Sequence, residues 1–257
     1  MSDWLLYDKL VAEANEKLVS PWIVEEVIVG ISWTVTTVRQ GAATSTGICY
    51  SPKNAARTLP WSGSLVGRTV TALFSWLYEW EGTASAIGVS TLNAIINHNN
   101  KLISQANSIP VDAPAHLKVF HYFKDHLVDQ NVCVIGRYPG LSGFDECARW
   151  QVIERTPQAD DFPDTAGDYL LPQADWVFVT ASSIANKSLP RLLKAAQHAT
   201  IVLMGPSLPW SVHWKAHGVD YLAGVTITSP LGVIDVAKQA GGTRLFEMGC
   251  EYRILSL

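Results

Sequence analysis

Apolar residues recur every fourth position at Leu6, Leu10, Ala14 and Leu18, which predicts an amphipathic helix over residues 3–18, ended by Ser20-Pro21. The period then changes. Residues 22–31 and 32–39 are rich in Val, Ile, Thr and Trp and read as two adjacent strands, with Gly30 at or near the turn. TSTGICY at 44–50 reads as a third strand, closed by Pro52. A loop rich in Pro, Gly and Ser follows at 54–67, containing TLPWSGSLVGR. Val66, Val70, Leu73, Phe74 and Leu77 form a helical stripe. A second helix is expected over 84–97, with Ile87, Leu92, Ile95 and Ile96 among its apolar positions. Ser90, Asn93 and Asn97 are three and four residues apart and share one helix face. Strands followed by helices predict a small α+β unit.

QANSIPVDAP at 105–114 has two prolines and little periodicity, so the expected division is residues 1–110 and 115–257. A helix over 115–128 leads into an alternating pattern. Short apolar runs at Val132, Val152, Val177 and Ile201 are separated by helical stretches near 141–149, 165–170 and 189–198. Such alternation predicts a parallel sheet flanked by helices. Two short apolar runs around Met248-Gly249 suggest an edge hairpin at 243–255. The fold class is α/β.

Charged residues make up 16% of the 257 and the formal charge is −4, which leaves no electrostatic footprint for nucleic acid. No apolar run approaches membrane-spanning length, and MSDWLLYDKL lacks the basic flank of a signal peptide. The expectation is a soluble cytoplasmic protein without a membrane partner. Cys49, Cys133, Cys147 and Cys250 form no C-x-x-C pair, and Cys133 lies inside an apolar strand.

In open α/β sheets ligands sit beyond the carboxyl ends of the strands. Three polar turns are expected there. The first is Gly136-Arg137-Tyr138-Pro139-Gly140, in which Arg137 could clamp an anion or pair with Asp145 or Glu146. Glu154 stands 18 residues after Gly136, near the spacing of a ribose-binding carboxylate, but GRYPG lacks G-x-G-x-x-G and Pro139 removes an N–H from the turn. The second turn offers Thr180, Ser182, Ser183 and Asn186, and the third Gly205, Pro206 and Ser207. His213 and His217 have i, i+4 spacing, yet no third ligand is identifiable, and no structural zinc is expected. Ser64 in SGS is not a nucleophile elbow.

GVSTLNAIIN (88–97), VCVIGRYPG (132–140), VIERTP with its downstream DFPD (152–164), LLPQADWVFVTASSIANKSLPRLL (170–193), MGPSLPW (204–210) and GVDYLAGVTI (218–227) together resemble the putative heavy-metal chelation family. The resemblance runs from about Val29 to Gly242. It implies a domain like the enolase N-terminal domain followed by a Rossmann-like domain, with the site in the cleft between them. Its motif positions carry over to Asn93, Asn97, Gly136, Pro139, Glu154, Thr180, Asn186, Gly205, Pro206, Ser207 and Pro209. Tyr138 departs from the phenylalanine common before the proline, and the TLPWSGSLVGR loop marks a subgroup.

The reading is a small-molecule or metal-chelate binding protein, linked by the resemblance to metal or cobalamin-type cofactor metabolism. The cofactor is left unassigned, a metal ion or metal chelate being the class implied, and a homo-oligomer is left open. A nucleotide- or adenosyl-methionine-dependent transferase using Glu154, and a ligand-free scaffold, are the alternatives. Asn93 and Asn97 are expected to face the strand ends at Gly136, Glu154, Thr180 and Gly205, with the Thr180, Ser182 and Ser207 hydroxyls orienting the ligand. On that reading Asn97→Ala and Glu154→Ala weaken binding with little loss of stability.

Overall fold

The computed structural model describes residues 4–53, 58–144, 148–158 and 160–257. The chain forms two sheets. The first is antiparallel, β1 (Ile23–Val29), β2 (Trp33–Gln40) and β3 (Ala43–Tyr50), with β2 in the middle and β3 at one edge. The 15-residue helix Gly82–Ile96 lies on this sheet, packed against β2 and β3.

That helix is where the amphipathic expectation fails. All residues from Thr83 to Ile96 are buried. Small side chains permit it: a Cβ on Gly47 of β3 would stand 2.0 Å from the Ser90 carbonyl oxygen, and one on Gly88 would stand 2.5 Å from Leu77 N. The buried hydroxyls are satisfied locally, as buried polar groups must be. Ser90 Oγ meets Thr36 Oγ1 at 2.7 Å, and Thr91 Oγ1 donates to Ile87 O at 2.7 Å.

The second sheet has eight strands: β4 (Asn107–Ser108), β5 (Asn131–Ile135), β6 (Arg149–Glu154), β7 (Phe162–Pro163), β8 (Trp176–Thr180), β9 (Thr200–Met204), β10 (Tyr221–Ile227) and β11 (Cys250–Ser256). Their order is β4-β11-β10-β9-β8-β5-β6-β7. Strands β5 to β10 are mutually parallel, while β11 and β4 run antiparallel. From β5 the chain winds outward through β6 to β7. It then returns to β8 on the other side of β5 and winds through β9 to β10. The sheet is doubly wound, with its switch point between β5 and β8. The protein is thus α/β, a small antiparallel-sheet domain joined to a larger, mostly parallel one.

Every strand read from an apolar run is present. The hairpin expected at the tail is not: β11 pairs along seven residues with β10 and holds β4 on its far edge, so it is an internal strand. Strand β4 falls within the stretch 105–114 and belongs to the larger sheet. Between β5 and β6 the described residues hold a single 3-10 turn, Leu141–Phe144, where a helix was expected. No helix among the described residues is long and apolar enough to cross a membrane.

Candidate functional site

Two glycine turns frame the switch point. Gly136 (φ 101°) follows β5 and Gly205 (φ 114°) follows β9, both in the region that only glycine adopts freely. A Cβ on Gly136 would press to 3.1 Å against Thr180 Cγ2, and one on Gly205 would stand 4.0 Å from Thr180 Oγ1. Thr180, the last residue of β8, therefore sits between the turns, with its Oγ1 3.1 Å from Ser182 Oγ.

Tyr138 is half-buried and stacks edge-on against Phe120 at 5.2 Å. Burial pushes its phenol up to about 12; a hydrogen bond with Thr180 opposes the shift and the Glu154 charge adds to it. Its hydroxyl is a neutral hydrogen-bonding group. Glu154 spends its carboxylate on backbone N–H groups, accepting from Arg137 at 3.0 Å and from Arg155 at 2.7 Å. The Arg137 guanidinium is paired with Asp161; Asp145 and Glu146 lie outside the described residues. Pro139 is exposed, and its carbonyl meets His116 Nε2 at 3.0 Å. The structure thus brings Gly136, Tyr138, Glu154, Thr180, Ser182 and Gly205 to one place, with Arg137 and Pro139 at its rim.

The remaining predicted residues are engaged elsewhere. Asn186 is exposed and caps Ser188, accepting from its N at 3.0 Å and its Oγ at 2.6 Å. Ser207 is buried, and its Oγ accepts from Tyr50 N at 2.8 Å. Asn93 is 1% exposed, and its amide donates to Ile48 O and to Ser207 O, both at 2.9 Å. Asn97 donates to Leu208 O at 3.2 Å and accepts from Trp210 N at 2.8 Å. Asn100, beyond the helix end, donates to Trp210 O at 2.6 Å. An asparagine amide offers a donor and an acceptor together, which suits the unpaired backbone of the turn 207–210. The asparagine row staples the small domain onto the turn after β9.

A cavity of about 510 Å³ lies beside this staple, within the range of small-molecule sites. One wall is β3 from Thr44 to Ile48. The others are the turn Asn97–Asn100 with Ile103 and Ser104, then Pro206, and the end of β10 with Pro230. It opens over the carboxyl ends of β9 and β10. That is two strand spacings, roughly 10 Å, from the β5–β8 switch point. It shares only Asn97 and Pro206 with the residues expected from the sequence. The missed residues left traces there, in the run NHNN at 97–100 and the row Thr44-Ser45-Thr46. Among the described residues His98 is the only ionisable one lining it; burial, then the Lys17 charge, hold its pKa below the ordinary value.

At another contact between the small domain and the larger one stands Lys187. It is half-buried with φ 65°, unusual outside glycine. Its ammonium donates to Ser85 Oγ and, at 2.8 Å, to Ala185 O. Burial lowers it to about 8, against the opposing influences of Cys49 and Glu79. The Cys49 thiol is fully buried and pushed up to about 12, so it is inert. Among the described residues no group of three or more His, Cys, Asp or Glu is placed to hold a metal ion. His213 faces Glu13 at 3.9 Å, and His217 is held below the ordinary histidine range by burial and by His213.

Residues 118–256 match a family model described as "putative heavy-metal chelation", and residues 11–96 match a second model with the same description. Two crystal structures share the fold, both of proteins of unknown function. One, from Desulfitobacterium hafniense, is 22% identical with a TM-score of 0.82, covering 99% of this chain and 98% of its own. The other, from Pyrococcus horikoshii, is 19% identical with a TM-score of 0.82, covering 98% and 100%. No curated protein matches the chain.

Proposed function

The chain belongs to the family described as putative heavy-metal chelation, and we propose that it binds a small organic molecule or a metal chelate in the cleft between its two domains. The observation that carries this reading is the cavity of about 510 Å³ beside the asparagine staple, lined almost entirely by uncharged groups. A bare transition-metal ion needs several nitrogen, sulfur or oxygen ligands converging on one point. The described residues do not fit that demand. A metal carried inside a chelate needs none of them, because the protein then reads the organic shell.

Binding suits the lining better than catalysis does. General acid-base chemistry needs a titratable group at the reacting atom, and among the described residues His98 is the one titratable group lining the cleft. The transferase alternative has less support: Glu154 already serves three backbone N–H groups, and the turn it closes leads into a 3-10 turn rather than a phosphate-binding helix. The test is native mass spectrometry of the protein as isolated, beside Thr226→Trp, which fills the cleft from β10. A bound molecule present in the parent and absent from the folded variant is expected. An adduct retained undiminished by the variant would refute the assignment.

A further inference from the structure

We propose that the ligand recognised in this cleft is a short, uncharged peptide, bound in extended form as an added strand on β3. The inference rests on the binding reading above and names the ligand class.

Its origin is the edge of the small sheet. Among the described residues β3 pairs with β2 on one side only. Tyr50 N–H and Ile48 C=O point away from β2, since they are taken by Ser207 Oγ and the Asn93 amide. In an antiparallel ladder the direction of the backbone groups alternates with every residue. The N–H and C=O of Thr46 and Thr44, and the N–H of Ile48, therefore face the same way. Thr44, Thr46 and Ile48 all line the cavity.

These groups have no hydrogen-bond partner within the described chain, and two of the residues are not in bulk water: Thr46 is 9% exposed and Ile48 1%. A buried backbone N–H without a partner costs about 1–3 kcal/mol. Asn93 Oδ1, on the amide that holds the Ile48 carbonyl, is likewise buried without a partner.

Donors and acceptors alternating along one line are what another extended backbone matches, and strand addition uses that match. From Thr44 to Ile48 the edge spans about 14 Å at roughly 3.4 Å per residue, the length of about five residues. Among the described lining residues only His98 is ionisable, which selects against charged ligands, since little there would offset their desolvation. The limited volume favours a free short peptide over a strand belonging to a folded partner.

The experiment begins with a library of uncharged pentapeptides, acetylated and amidated at their ends, screened against the full-length protein by native mass spectrometry. The best binder goes to calorimetry. N-methylation at the alternate residues facing β3 should weaken it about ten-fold or more, and methylation at the intervening residues should not. Thr46→Pro removes one outward N–H and leaves the β2 ladder intact, as edge strands allow, and should weaken binding likewise. Should that variant fail to fold, the methylation series on the parent protein decides.

No binding at millimolar peptide overturns the proposal, and so does a series in which methylation position is without effect. A different molecule found in the cleft and displaced by Thr226→Trp would overturn the peptide and leave the cleft standing. Peptides bound equally by the parent and Thr226→Trp would overturn both. Concentration-dependent dimerisation abolished by Thr46→Pro, without peptide binding, would assign the edge to a second copy instead.

Discussion

Asn97→Ala separates a staple from a ligand contact. In the structure the Asn97 amide donates to Leu208 O and accepts from Trp210 N. Alanine removes both bonds and leaves a carbonyl and an N–H of the turn to find other partners. Each such bond contributes about 0.5–1.5 kcal/mol net, and an unsatisfied, partly buried partner raises the loss. The expected cost is about 2–3 kcal/mol of folding stability. For a chain of this size that is a fall in Tm of roughly 4–12 °C. Calorimetry and urea unfolding measure it, with Asn186→Ala as the control, since that side chain is exposed and caps only Ser188. The control should lose no more than about 1 kcal/mol. A ligand-facing Asn97 would leave stability unchanged and reduce binding alone, which was the expectation from the sequence. A Tm for Asn97→Ala within about 1 °C of the parent would refute the staple.

Gly47→Ala should yield little folded protein, judged by soluble expression and thermal melting, because its Cβ would stand 2.0 Å from the Ser90 carbonyl on a helix with no room to retreat; a melt within a few degrees of the parent would contradict the close packing. Lys187 carries a pH dependence. Its folded pKa of about 8 lies below the ordinary lysine value of 10.5. Between those two pH values the unfolded chain therefore holds a proton that the native state has released, and stability rises with pH. In urea unfolding from pH 7.5 to 10.5 the stability of the parent relative to Lys187→Met should rise with pH, the difference removing the opposing contribution of the buried thiols that both proteins share; parallel curves would show that the amine is not perturbed.

Much of the fold was legible because the signals are local. A short apolar run ending in a polar or small residue needs only its own neighbours to declare a buried strand, and β5, β6, β8 and β9 all announce themselves this way. The turns after β5 and β9 were readable for the same reason: Gly136 and Gly205 supply the left-handed conformation that closes a parallel strand. The placement of Tyr138, Glu154, Thr180 and Ser182 beside one another follows from the parallel sheet itself.

What the tertiary structure alone decided concerns partners distant along the chain. The pairing of β11 with β4 joins Ile254 to Asn107, and no local pattern encodes it. Burial of the Gly82–Ile96 helix on every side erased the periodicity by which a helix shows its faces. The direction of its asparagines was therefore set by the unpaired backbone of a turn more than a hundred residues away. The cavity was hidden for the same reason. Its walls come from β3, the turn at 97–100 and the end of β10, each unremarkable alone, and only packing the small domain onto the larger sheet makes them face one another.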